Sequence, residues 1–265
     1  MIKLFFRSLY LDYKFVLLPL ALFDKLNFIF KKCLGKNIIL GFSPGHSFTK
    51  IFSQKYYYDD KFGIAFLQSV YVDHALLEKY IPKSATIVDI GANTGQFNFF
   101  CKHFLKAKTV YSFEPVKKTY QLLKKNVPEH CYNYAISTKK SLTLYVPELS
   151  LMAGNFKPKT KAKKESVQTL LLDEFKPLKS KEKIDLIKID TEGSEYEVIM
   201  ASKKIIKKSK YLLVEASLDR QCSGNLEDIT EILKTISPQA CLIEKGRKYK
   251  DNGCVIAMDV LFKIS

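Results

Sequence analysis

Three short stretches concentrate the residues able to do chemistry. The first is Val88-Asp89-Ile90-Gly91-Ala92-Asn93-Thr94-Gly95-Gln96, a glycine turn that leaves an apolar strand and enters a helix with an apolar face. Gly91 and Gly95 tolerate strained dihedrals and let the backbone pass close to a ligand. Free N–H groups at the helix start attract a carboxylate, and Asp89 at the strand tip attracts a cation. A ligand carrying an ammonium and a carboxylate, as an amino acid does, satisfies both. The G-x-x-x-G spacing is neither the dinucleotide fingerprint nor the phosphate-binding loop, which argues against a nicotinamide-dependent enzyme.

Glu114 follows at the tip of the next strand, 25 residues after Asp89. A carboxylate there can accept two hydrogen bonds from a ribose diol. The third stretch is Lys188-Ile189-Asp190-Thr191-Glu192-Gly193-Ser194-Glu195, four ionisable groups where a buried strand opens into a helix. That edge of a parallel sheet is where ligands bind. Asp190 and Glu192 suit proton abstraction from a hydroxyl, positioning of an acceptor, or a divalent cation, although no metal is expected. Lys188 sits beside them.

Elements that alternate from Ala85 onward must hold these residues. Thr86–Ile90, Thr109–Phe113, Cys131–Ile136, Ile184–Ile189, Tyr211–Ala216, 241–244 and Cys254–Phe262 read as strands, with an exposed one at 141–146. Helices are expected over 69–81, after Gly95, from Pro115 to Lys125, from about Glu192 to Lys208, and over Leu226–Ile236. Acidic residues open the 192–208 segment and lysines close it, as the macrodipole favours. Strand and helix in turn imply an α/β fold with a mostly parallel sheet flanked by helices. Residues 154–165, rich in Gly, Pro and Lys, read as a loop or lid. Residues 166–172 fit a strand or a short helix.

Together VDIGANTGQ, SFEP, TLLLDEF, LIKIDTEGSEYEV and LLVEAS resemble the FkbM-type methyltransferase family over about residues 85–217. The resemblance implies a class I (Rossmann-like) methyltransferase fold, whose seven-stranded sheet ends with an antiparallel hairpin strand. It implies S-adenosyl-L-methionine as cofactor and a hydroxyl acceptor on a sugar, glycan or secondary metabolite. By position, Asp89, Gly91, Ala92, Asn93 and Gly95 would hold the methionine part and Glu114 the ribose. Ala135 or Ile136 would lie along the adenine, and Lys188, Asp190 and Glu192 would serve the acceptor and catalysis.

Composition narrows the rest. The 265 residues are 47% hydrophobic and 13% aromatic, enough for a sizeable core. The division expected is a basic, apolar and mostly helical appendage at 1–60, then a catalytic domain at 61–265. A formal charge of +16 invites nucleic acid, but only Arg7, Arg220 and Arg247 among 43 basic residues offer the guanidinium fork. Nor is there an N-P-P-Y-like amine site, so specific nucleic-acid binding is not expected. The six cysteines form no metal or disulfide spacing and fit a reducing, cytoplasmic setting.

Residues 1–40 interleave Phe5, Leu9, Tyr10, Phe15, Leu18, Leu22 and Phe23 with Lys14, Lys25, Lys31 and Lys32. The apolar run Phe15–Phe23 is broken by Pro19 and is far short of the roughly 20 residues that span a bilayer. No small-x-small cleavage pattern follows it. The segment fits either a peripheral contact with an anionic membrane at the inner face, or a helical appendage packed on the domain or a second subunit. A non-catalytic scaffold that keeps the fold is the competing reading of the whole chain.

Overall fold

The computed structural model describes residues 2–26, 29–30, 47–51, 54–58, 63–147, 162–219, 224–251 and 254–265. Helix α1 (Ile2–Val16) comes first, then the hairpin β1 (Ser47–Ile51) and β2 (Gln54–Tyr58), and helix α2 (Gly63–Asp73). The alternating part runs β3 (Thr86–Ile90), α3 (Gln96–His103), β4 (Thr109–Phe113), α4 (Lys117–Asn126) and β5 (Cys131–Tyr132). Strands β6 (Ala135–Ile136), β7 (Ser141–Pro147) and β8 (Ala162–Leu170) follow, then the short α5 (Lys176–Lys179). The chain closes with β9 (Ile184–Ile189), α6 (Glu195–Met200), α7 (Lys203–Lys207), β10 (Ser209–Ser217), α8 (Leu226–Ile236), β11 (Cys241–Asp251) and β12 (Cys254–Lys263).

Seven strands form the central sheet in the order β11-β12-β10-β9-β3-β4-β5. The pairs among β10, β9, β3, β4 and β5 are parallel, while β12 runs antiparallel to both β10 and β11. This is the expected class I methyltransferase sheet with its reversed hairpin strand. Chain order reverses between β3, which leads outward to β4, and β9 on its other side. A crevice therefore opens beyond the carboxyl ends of these two strands.

Period-two alternation gives the sheet two apolar faces. Val88, Ile187, Leu212 and Val260 pack on one side with Val198, Ile206 and Leu233. Ile87, Leu186, Leu213 and Leu261 pack on the other with Phe97, Phe100, Tyr71 and Phe15. Phe15 brings α1 into this second core, and Gln68 donates to Asp12 across the α1–α2 contact at 2.8 Å. The four described free cysteines, Cys101, Cys131, Cys241 and Cys254, form no disulfide.

Several element boundaries differ from the sequence reading. The helix expected over 69–81 begins at Gly63 and stops at Asp73, and residues Ala75–Lys79 form a 3-10 turn. Residues 131–136 split into β5 and β6, which join different sheets; β6 pairs with β8 in a three-stranded sheet β6-β8-β7. Helix α4 starts at Lys117 rather than at Pro115, because the Glu114 carboxylate accepts the Val116 N–H at 2.8 Å and holds the turn before it. The 192–208 helix is two helices. The Asp173 carboxylate accepts from Lys204 N and Ile205 N at 3.1 and 3.0 Å, capping a fresh start at α7. Of the expected 154–165 loop, residues 162–165 belong to β8 and 154–161 lie outside the described residues.

Candidate functional site

The cleft lies at the chain reversal. The space between its walls is about 780 Å³ with the open solvent at its mouth included. Of the residues singled out in the sequence, Gly91, Asn93, Glu114, Ala135, Ile136, Asp190 and Glu192 line it. Ala92 instead packs behind the loop with Leu123 and Val127. Asp89 and Lys188 lie beneath as adjacent partners on β3 and β9.

The glycine turn is built as expected but spends its donors inside the protein. Gly91 and Gly95 have φ of +80° and +94°, and Asn93 joins them at +49°. A Cβ on Gly91 would sit 1.8 Å from the Asp190 carbonyl oxygen, so the close approach this glycine permits is to the third stretch itself. Gly91 N and Ala92 N donate to the Phe113 carbonyl, each at 3.0 Å. Asn93 N donates to Glu114 Oε2 at 3.0 Å, Thr94 N to Asn93 Oδ1 at 2.7 Å and Gly95 N to the Ala92 carbonyl at 2.9 Å. The first turn of α3, ahead of the Phe99 N to Gly95 carbonyl bond, holds the N–H groups without a helical acceptor.

Glu114 anchors the loop from the next strand. Its two oxygens accept from Asn93 N and Val116 N, leaving lone pairs over for a ligand. Burial pushes its carboxyl up to about 7 against the pull of those two N–H groups. Asn133 fixes the strand end by donating to the Glu114 and Pro115 carbonyls, both at 2.8 Å.

A buried cation organises the floor. Lys188 Nζ lies 2.8 Å from Asp190 Oδ2, 3.8 Å from Asp89 Oδ1 and 5.3 Å from the centre of the Phe97 ring. Burial alone would lower Lys188, but Asp190 and Asp89 outweigh it and hold the ammonium above its ordinary range. Asp89 is fully buried, and neither of its oxygens has a hydrogen-bond partner. Burial raises it to about 6, Asp190 adding to the rise and Lys188 opposing it. The cation that Asp89 meets in this structure is thus a protein side chain.

The turn after β9 carries Glu192 at φ +53° and Gly193 at +98°. Glu195 accepts from Thr191 N, Thr191 Oγ1 and Gly193 N at 2.9, 3.0 and 3.1 Å, so this carboxylate is the turn's internal staple. Glu192 stands exposed on the cleft wall. The protein around it, followed by Asp190 and Glu195, pushes its carboxyl up to about 7.

Sequence reasoning missed two groups. Val116, Tyr134, Leu142 and Leu144 give the cleft an apolar wall next to Ala135 and Ile136. Beyond Asp190 stands a second set of acids. Glu215 and Asp259 are cross-strand partners on β10 and β12, and Tyr249 OH donates to Asp259 Oδ1 at 3.4 Å. Burial, then Asp190 and Glu192, raise the Glu215 carboxyl above the usual range. His74 Nε2 is 3.9 Å from Asp259 Oδ2, and burial lowers this imidazole to about 4, leaving it neutral. The strand-end place of Glu215 in LLVEAS was a legible signal, whereas Asp259 needs the β10–β12 register. Among the described residues no group of three or more His, Cys, Asp or Glu side chains is arranged to hold a metal ion.

Residues 89–242 match the family model for the methyltransferase FkbM domain, more than half of the chain. The chain belongs to the FkbM methyltransferase family. It is a methyltransferase dependent on S-adenosylmethionine, on a sheet with the strand order and reversed strand of that class. Among curated proteins it is similar to methyltransferase sdnD of Sordaria araneosa, 27% identical over 186 residues, covering 54% of this chain and 71% of the relative. Among solved structures it is similar to M. jannaschii TYW2 in complex with AdoMet, at 13% identity and a TM-score of 0.45, covering 85% of this chain and 88% of that one. An rRNA methylase from Streptococcus thermophilus is similar at 10% identity and a TM-score of 0.44, covering 72% and 92%.

Proposed function

We propose that this FkbM-family domain methylates a hydroxyl oxygen of a small polar acceptor, a sugar, glycan or secondary metabolite. The observation that carries the reading is the carboxylate pair Asp190 and Glu192 on the wall of the cleft that also presents Glu114 and the glycine turn. A hydroxyl is a weak nucleophile, and a carboxylate that takes its proton in the transition state contributes typically 10²–10⁴-fold.

The residues fit the cofactor. Glu114 has acceptor capacity for a ribose diol, and Gly91 with Asn93 lies beside it for the methionyl part. Val116, Ile136, Leu142 and Leu144 form an apolar slot of the kind an adenine ring fills. Ala92 and Gly95 act from behind, by shaping the loop. The bound cofactor supplies an activated methyl group, so the chain's own task is alignment and proton removal.

Glu192 is the base in this reading, since it lines the cleft while Asp190 is held by the Lys188 ammonium. Asp190, tethered by Lys188, orients the acceptor hydroxyl; Lys188 is a positioning residue. Glu215, with Tyr249 and Asp259, offers further polar contacts on the acceptor side.

The test is mass spectrometry of surface glycans and metabolites from cells lacking this chain. A hydroxyl-bearing compound lighter by one CH2, restored by the purified protein with S-adenosylmethionine, is the expected result. A methyl group lost from nitrogen or from nucleic acid would overturn the hydroxyl reading.

A further inference from the structure

The N-terminal segment presents two apolar stripes that point in opposite senses. Phe15 and Leu18 are buried against the core that holds Leu67 and Tyr71. On the other side of α1, Leu9, Tyr13 and Leu17 recur at helical spacing in solvent, Tyr13 and Leu17 each 61% exposed. After the turn at Pro19, residues 22–26 are again helical. There Leu22 and Phe23 are 66% and 79% exposed, and Leu26 and Phe30 continue the same stripe. Helices seated by one face do not otherwise leave a second apolar face in water, and such a patch marks an interaction surface.

The charge beside it selects the occupant. Residues 1–32 carry six Lys and Arg against Asp12 and Asp24. Asp12 is engaged by Gln68. Lys14 Nζ lies 5.7 Å from the Tyr10 ring centre, which places a cation at the margin of the exposed stripe. Aromatic and leucine side chains with Lys14 at their margin, in a segment of net positive charge, match the interface of an anionic bilayer, where rings sit at headgroup level and each cation adds attraction. Among the described residues no helix is long and apolar enough to cross a membrane, so contact with one surface is the mode that fits. We infer that the exposed apolar face of residues 9–26 docks this methyltransferase on an anionic lipid surface.

The chain has no tryptophan, so Phe23→Trp installs a single reporter in the full-length protein. Its emission should shift to the blue on adding vesicles of phosphatidylcholine with phosphatidylglycerol, and hardly at all with phosphatidylcholine alone. Binding to the anionic vesicles should be at least about tenfold the stronger and should weaken as salt rises. Leu22→Ser/Leu26→Ser should abolish vesicle flotation while leaving the melting temperature and calorimetric cofactor binding unchanged. Lys14→Glu should weaken only the anionic preference. No shift with anionic vesicles, or equal flotation of the double variant, overturns the inference. A blue shift without lipid that grows with protein concentration also overturns it, by making a second copy the occupant.

Discussion

Replacing Lys188 by Met removes the only cation within ion-pair reach of Asp89 among the described residues. The carboxylate left behind is fully buried and has no hydrogen-bond donor on either oxygen. Even with Lys188 present, its pKa rises from 3.8 to about 6, which corresponds to about 3 kcal/mol against the ionised form. An acid whose folded pKa is raised binds more protons folded than unfolded. The native protein should therefore lose stability as pH climbs from about 4 to 6, and level off above. Without Lys188 that window extends upward, because Asp190 remains as an uncompensated anion nearby. Breaking a buried pair from one side costs about 3–5 kcal/mol. Lys188→Met should show that loss at pH 8 and much less at pH 5, where Asp89 takes a proton. Denaturant unfolding at the two pH values measures it. Adding Asp89→Asn should recover a large part of the pH 8 loss. An equal loss at both pH values, or strict additivity of the two substitutions, would refute the buried-cation account.

The other predictions concern the cleft. Gly91→Ala brings a Cβ to 1.8 Å from the Asp190 carbonyl, forcing the two loops apart by about 1 Å. Displacement on that scale costs about 10²-fold in turnover, and unchanged turnover with intact folding would dismiss the contact. Glu114→Ala leaves the Asn93 and Val116 N–H groups unpaired and removes the ribose acceptor, so calorimetry with S-adenosylhomocysteine should show binding weaker by about 10–100-fold. A base that titrates near 7 must be ionised to work, so the methylation rate should climb with pH through that value. Glu192→Gln should flatten the climb and lower the plateau. Asp190→Asn should reduce turnover far more than cofactor affinity.

The alternating half of the chain was legible because local and global signals agree there. Thr86–Ile90 and Ile184–Ile189 are apolar runs with Asp89 and Asp190 at their carboxyl ends, and the structure pairs them side by side so that both acids stand at one edge. What the sequence hid was set by contacts between distant segments. Nothing near Asp173 in the chain announces that it caps a helix at residue 203 and so splits a continuous helical pattern. Lys188 read as one more group for the acceptor until the register set it against Asp89. Residues 162–165 read as loop because of their lysines, yet they pair with β7 and point several of those side chains to solvent. Asp259 and Glu215 are 44 residues apart, and only the reversed strand brings them level.

The β1–β2 hairpin reaches the cofactor loop through one amide. Asn126 donates to the carbonyls of Tyr57 and Thr94 at 2.8 and 2.7 Å and accepts from Tyr57 N at 2.6 Å, while Tyr56 OH meets Thr94 Oγ1 at 2.9 Å. The knot joins a stretch outside the family match to the heart of the match. Trimming the gene to its recognisable half would untie it, taking Tyr56 away from the ring of Phe99 and freeing the turn at Thr94. Grafting this catalytic half onto another leader would have to bring the two tyrosines along.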